Sequence, residues 1–231
     1  MTNPPLPNHL HYLMMRHVIE KGHAPALDVL ARTAGCSEAE AAQGLRDLEA
    51  MRGVVLEPGS TRVWSLHPFA TTPAAHWVRG GAPTFEGGWW ANCGWCTLGI
   101  GAALGEDVLI TTSDGAEGDK LEFTASGRST SRPDLLLHFP YPPARWWDNP
   151  YCPCGNILFF SSEERIDEWC QRHGHPKGEV LDMPRALALA EMWFGDYASP
   201  AWRRKTPEEA LEIFQQLELD PAFWRLTPAF R

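Results

Sequence analysis

Four of the chain's six cysteines fall into two tight pairs, Cys93/Cys96 and Cys152/Cys154. Thiolates are nucleophiles and soft metal ligands, so two such pairs brought together would make either a metal centre or a catalytic thiol site. The first pair stands in Trp89-Trp90-Ala91-Asn92-Cys93-Gly94-Trp95-Cys96-Thr97-Leu98-Gly99. Leu98, Ile100, Ala102, Ala103 and Leu104 then predict a short helix closing at Gly105, with Cys93 at or just before its N-terminus. Free N–H groups and the macrodipole there favour thiolate, which predicts a thiol pKa below the reference of about 8.5. The second pair stands in Asn149-Pro150-Tyr151-Cys152-Pro153-Cys154-Gly155-Asn156, a segment stiffened by prolines and a glycine, directly before an apolar strand. Brought together, the two segments would place up to four sulfurs, Cys93, Cys96, Cys152 and Cys154, in one site lined by Trp89, Trp90, Trp95, Trp146 and Trp147. Such a set suits zinc, copper(I) or mercury(II).

Three chemistries fit this pattern. A structural zinc site needs four ligands in tetrahedral geometry. A dithiol redox pair is suggested by Cys93-Gly94-Trp95-Cys96, but it calls for a thioredoxin-like strand–motif–helix context that the flanking pattern does not supply. The third is a thiolate active site for a soft-metal substrate. The remaining candidates read more simply: Cys36 and Cys170 as packing, His138 as a sheet histidine, and His173 and His175 as partners of the carbonyls at a helix end. Asp148 is either a substitute acid or a residue that shapes the turn at Asn149-Pro150.

The elements that must hold these residues fall into two units, 1–70 and 71–231. In the first, Leu10, Leu13, Met14, His17 and Val18 predict a helix ending at Gly22, and Leu27, Val29, Leu30 and Ala34 a second ending at Gly35. Ser37 with Glu40 forms a capping box that opens a third. Val54–Leu56 and Arg62–Leu66 follow as a hairpin, completing a winged-helix pattern. The third helix carries more acid than base on its exposed positions, which argues against DNA recognition through it.

Residues Thr71–Gly88 read as a Pro/Gly-rich linker or irregular edge. Beyond them, strands are expected at Asp107–Thr112, Lys120–Ala125, Leu135–Phe139 and Ile157–Phe160, the first two joined as a hairpin. Helices are expected from Ser161 to Gly174, over Arg185–Phe194, and from a cap at Thr206. The fold class is therefore α+β: a winged-helix-like three-helix domain, then a mixed or antiparallel sheet with appended helices.

Composition narrows the function. The chain has 231 residues with 20 basic and 29 acidic side chains, a formal net charge of −9, which disfavours nucleic acid as a partner. No apolar run reaches the roughly 18–20 residues of a membrane span, and Met1-Thr2-Asn3-Pro4-Pro5 lacks the pattern of a signal peptide. A cytoplasmic address is expected, where clustered thiols point to metal or catalysis rather than to disulfides.

Residues 9–69, ending Ser65-Leu66-His67-Pro68-Phe69, then Trp89–Gly105, then Cys154-Gly155-Asn156-Ile157-Leu158-Phe159-Phe160, resemble the organomercurial (alkylmercury) lyase family. The resemblance implies a winged-helix-like domain joined to a catalytic α+β domain, and protonolysis of carbon–mercury bonds with mercury(II) kept on two cysteines. It places Cys93 and Cys154 at the two family cysteines, with no cofactor required. Small organomercurials are the implied substrates and small thiols the acceptors of the mercury. The family aspartate, three residues after the first cysteine, is Cys96 here, either a proton donor or a third soft ligand. Cys152 is a further thiol outside the family pattern. Two other readings remain at this stage: a relative whose four cysteines bind zinc or copper, and a winged-helix metal sensor.

Overall fold

The computed structural model of the chain describes residues 4–80, 87–146 and 151–226. Helices α1 (Leu6–Lys21), α2 (Leu27–Ala34) and α3 (Glu38–Ala50) form the first layer, with the first two ending at left-handed glycines, Gly22 and Gly35. The expected capping box is present: Glu40 N donates to Ser37 Oγ at 3.2 Å, and Ser37 N donates to Glu40 Oε2 at 2.8 Å. Leu10, Met14, Leu45 and Leu48 bury the facing sides of α1 and α3. On α3, Glu49 accepts from the backbone N–H of Leu56 and so ties down the wing hairpin of β1 (Val55–Leu56) and β2 (Val63–Leu66).

The hairpin continues into a larger sheet. With β3 (Phe69–Ala70), β4 (His76–Gly80), β5 (Trp89–Ala91), β6 (Val108–Ser113), β7 (Lys120–Ser126) and β8 (Ser129–Thr130) it makes eight antiparallel strands in the order β1-β2-β3-β5-β4-β6-β7-β8. Alternation along β6 and β7 buries Val108, Ile110, Leu121 and Phe123 on one face. A second antiparallel sheet sets β9 (Leu136–Phe139) between β10 (Leu158–Phe160) and β11 (Glu179–Asp182). Helices α4 (Gly94–Leu104), α5 (Tyr151–Asn156), α6 (Glu163–His173), α7 (Met183–Phe194) and α8 (Pro207–Gln216) complete an α+β fold. Among the described residues, no helix is long and apolar enough to cross a membrane.

Three expectations need correction. Within Thr71–Gly88, read as linker or irregular edge, β4 is an internal strand that pairs with both β5 and β6 and buries Val78 fully. Its prolines lie outside the paired stretch, so they do not interrupt the ladder. The cap of α6 is Ser162, whose side chain accepts from Arg165 N, because Ser161 Oγ is engaged at 2.5 Å by buried Asp114. The stiff Cys152–Cys154 loop is instead helical, as α5; Pro153 falls in its first turn, where a missing N–H costs nothing.

Helix α4 explains how the two cysteine segments meet. It is apolar on every side and packs between the sheets and α7. Gly99 allows the α4–α7 contact, since a Cβ there would come within 2.5 Å of the Phe194 ring. Gly94 N donates to Ile157 O at 2.7 Å, joining the start of α4 to the chain just after Cys154. A Cβ at Gly94 would crowd Leu137, Phe159 and the Ile157 carbonyl at 2.9–3.2 Å, so glycine eases this approach.

Candidate active site

Cys93 is the N-cap of α4, in extended conformation, and its Sγ accepts from Cys96 N at 3.3 Å. One helical turn later, Cys96 Sγ lies 3.1 Å from Cys93 Sγ; both residues are 1% exposed. From α5, Cys154 reaches the same place and hydrogen-bonds Cys93. Three thiols thus converge in a cavity of about 70 Å³. Cys152 stands apart: it is exposed, and Asn156 Nδ2 lies 3.9 Å from its Sγ. Among the described residues no group of three or more His, Cys, Asp or Glu side chains is disposed to hold a metal ion.

The thiols are not the lowered ones that a helix N-terminus predicts. Burial pushes Cys93 well above the ordinary thiol range, against the hydrogen bond from Cys154 and the backbone N–H of Cys96. Cys154 is pushed up by the hydrogen bond it shares with Cys93 and by burial, and His67 pulls it down. Taking a thiolate out of water costs more than one weak N–H contact returns. Both sulfurs therefore rest protonated.

His67 is the residue that sequence reasoning did not assign. It sits between β2 and β3, and its Nε2 lies 3.5 Å from Cys154 Sγ at the edge of the cavity. The contact spans 87 positions of sequence, so no local pattern could have announced it. The wing hairpin carries His67 here because its strand β2 is tied to the chain just before Cys93, which is itself tied to α1. Asn92 Nδ2 donates to Ser65 Oγ at 2.7 Å, both buried, and Trp89 Nε1 donates to Val18 O at 3.0 Å.

The aromatic wall also differs in membership. Trp95 and Trp146 line the cavity as expected, but Trp193, Phe194 and Tyr197 supply the rest. Trp89 is committed to α1 and Trp90 packs edge-on against Trp77, 4.5 Å between centroids, because neighbours on β5 point to opposite faces. Trp147 and Asp148 lie outside the described residues.

Other cysteine and histidine candidates sit elsewhere. Cys170 is buried on α6, and Cys36 is half-buried. His138 is fully buried and bonded to the Lys177 carbonyl. The His175 backbone N–H donates to a carbonyl at the end of α6, Cys170 O, at 3.1 Å, while the two side chains turn elsewhere: His173 Nε2 pairs with Glu117 Oε1 at 2.5 Å, and His175 Nδ1 meets Tyr141 Oη at 2.7 Å. Fixed side-chain partners displace the weaker backbone contacts expected from position alone.

The alkylmercury lyase family model matches residues 69–195. The crystal structure of the mercury-bound form of MerB2 superposes with a TM-score of 0.62 at 19% identity, covering 84% of this chain and 98% of that one. At that identity the likeness shows the fold. No curated protein matches the chain by sequence.

Proposed function

The chain belongs to the alkylmercury lyase family, and from that premise we propose that it cleaves carbon–mercury bonds by protonolysis, retaining mercury(II) on Cys93 and Cys154. The observation that carries this reading is the pair of buried, hydrogen-bonded thiols of Cys93 and Cys154, with His67 Nε2 3.5 Å from one of them, in an aromatic-walled cavity. Protonolysis consumes two protons when the substrate arrives as R–Hg–SR′, and the two thiols hold two.

The Cys154 proton passes to His67 Nε2, and the thiolate attacks mercury. The departing R′S⁻ takes that proton from His67 and leaves as R′SH. Cys93 sulfur then bonds mercury, and its proton is relayed through Cys96, 3.1 Å away, to the mercury-bound carbon. The C–Hg bonding pair becomes the new C–H bond, and R–H leaves. Mercury stays as a bis-thiolate of Cys93 and Cys154 until two small thiols exchange it out and return both protons. Cys96 thus holds the position of the family carboxylate, while His67 supplies the acid–base group that a thiol alone serves poorly. The aromatic wall keeps water from the carbon and receives R.

Phenylmercury with excess small thiol tests the reading. Benzene is expected at a rate well above the thiol-only background, and benzene at background from fully reduced protein would overturn it.

A further inference from the structure

Three sulfurs form a chain of contacts at the cavity, and their exposure falls along it. Cys154 on α5 is half-buried, whereas Cys93 and Cys96 at the start of α4 are 1% exposed. Cys154 hydrogen-bonds Cys93, and Cys93 Sγ lies 3.1 Å from Cys96 Sγ. All three line the same cavity. A disulfide holds its sulfurs about 2.05 Å apart, so Cys93 and Cys96 stand about 1 Å from bonding distance.

The fold holds that pair in place. Cys93 caps α4 in extended conformation, and the backbone N–H of Cys96 donates to Cys93 Sγ at 3.3 Å. The start of the helix is itself fixed, because Gly94 N donates to Ile157 O at 2.7 Å and Gly94, Trp95, Cys96 and Thr97 are all buried. Two thiols already ordered side by side lose little further freedom when they bond. The pair depends on Cys96, which occupies the position that the family resemblance gives to an aspartate, so this option comes from the chain's departure from the family pattern.

We propose that Cys93 and Cys96 form a reversible disulfide, reached through Cys154, that switches the cavity between a thiol state able to take mercury and an oxidised state that is not. The bond is independent of the lyase reading, whereas its effect on mercury capture rests on that reading. The oxidant is a small organic disulfide, R′S–SR′. Cys154, the most exposed of the three, meets it first. The Cys154 proton goes to His67 Nε2, 3.5 Å away, and its sulfur bonds one sulfur of the oxidant. The other leaves as R′S⁻ and takes that proton, giving R′SH. Cys93 sulfur then attacks Cys154 sulfur, and the second R′S⁻ leaves with the Cys93 proton. Cys96 attacks Cys93 in turn, and Cys154 leaves with the Cys96 proton. In sum, Cys93 and Cys96 lose two electrons and two protons, and the oxidant becomes two R′SH. A small dithiol runs the exchange backwards.

The test treats the fully reduced native chain, without oxygen, with excess 2-hydroxyethyl disulfide. Remaining thiols are then alkylated and the unreduced peptides mapped by mass spectrometry. The peptide carrying Cys93 and Cys96 is expected to be lighter by two hydrogens and free of the alkylating label, with Cys154 outside that bond. Capture of phenylmercury, read by tryptophan fluorescence quenching, is expected to fall in proportion to the bond formed and to return with dithiothreitol. Cys96→Ser is expected to stop one exchange earlier, at a Cys93–Cys154 bond. Cys154→Ser is expected to form the Cys93–Cys96 bond on the order of tenfold more slowly, since the accessible entry thiol is gone. A native endpoint without the Cys93–Cys96 bond overturns the proposal, and so does capture undiminished in the fully oxidised chain. Mapping of the native chain needs no variant and stands if a substitution impairs folding. Benzene release by the reduced chain is followed separately: its absence alongside a mapped Cys93–Cys96 bond strikes the lyase reading and leaves the disulfide.

Discussion

Two regions of this molecule pair a cysteine with a histidine among tryptophans, and they differ in what surrounds the pair. In the cavity, Cys154 Sγ lies 3.5 Å from His67 Nε2, with Cys93 and Cys96 beside it. Across the smaller sheet, Cys170 Sγ lies 3.9 Å from His138 Nε2, with Trp169 and Phe160 packed around them. The residue types are nearly the same. The second cluster, however, is solid: His138 is spent on the Lys177 carbonyl, and Cys170 faces the Pro176 carbonyl at 3.6 Å. The first opens on a cavity and brings three thiols together, bonded to one another and, at Cys93, to the backbone N–H of Cys96. Open space beside the sulfurs, more than residue identity, separates the first cluster from the second.

The largest expected break in that comparison is at the sulfurs. Cys93→Ser or Cys154→Ser is expected to reduce benzene release from phenylmercury by about 10⁴-fold or more, since hydroxyls neither ionise nor bind mercury comparably. Cys170→Ser is expected to stay within about threefold of the native rate, as surface-remote packing changes do. Equal losses at Cys170 and Cys154 would erase the distinction.

The next effect separates the acid–base group from the relay. His67→Gln is expected to slow mercury capture about 100-fold, the range of a lost general acid–base group. Cys96→Ser is expected to leave capture faster than hydrocarbon release, so that R–Hg accumulates on the protein by mass spectrometry while release slows by a similar factor. Cys96→Asp, which restores the family carboxylate, is expected to raise the release rate above that of Cys96→Ser. A hydrocarbon release step insensitive to Cys96 would remove the relay.

The smallest effect belongs to the packed cluster and is one of stability. Burial lowers His138 to about 4 from an ordinary 6.5, so the unfolded chain binds a proton that the folded chain refuses. Its contribution is complete above pH 6.5 and is lost as the pH falls towards 4, about 2 kcal/mol by pH 5. His76, also near 4, and His11, near 3, act in the same direction. Urea midpoints measured between pH 7 and 4.5 should fall steeply in the native chain and less steeply in His138→Gln. Parallel slopes would mean that His138 is not held neutral.

Much of this was legible in the chain. Periodicity and caps located α1 to α4, the β6–β7 hairpin and the strands beside Cys154, because local preferences and burial agreed there. Strand β4 was hidden because its flanks are rich in proline and glycine. The pairing of Cys93 with Cys154 was readable from motif resemblance, whereas the place of Cys152 was not. A shift of two residues along α5 turns one thiol inward and the other to solvent.

What the sequence determined by itself is the chemistry available: thiols at a helix start, an acidic chain with no strongly basic helix, and an aspartate position filled by Cys96. What only the tertiary structure decided is which groups meet. Gly94 against Ile157 O closes the two thiol segments together, the wing carries His67 across 87 positions to Cys154, and burial raises the Cys93 thiol where the helix end alone would lower it. Spacing reports neighbours along the chain, but long-range contacts and desolvation exist only once the layers have packed.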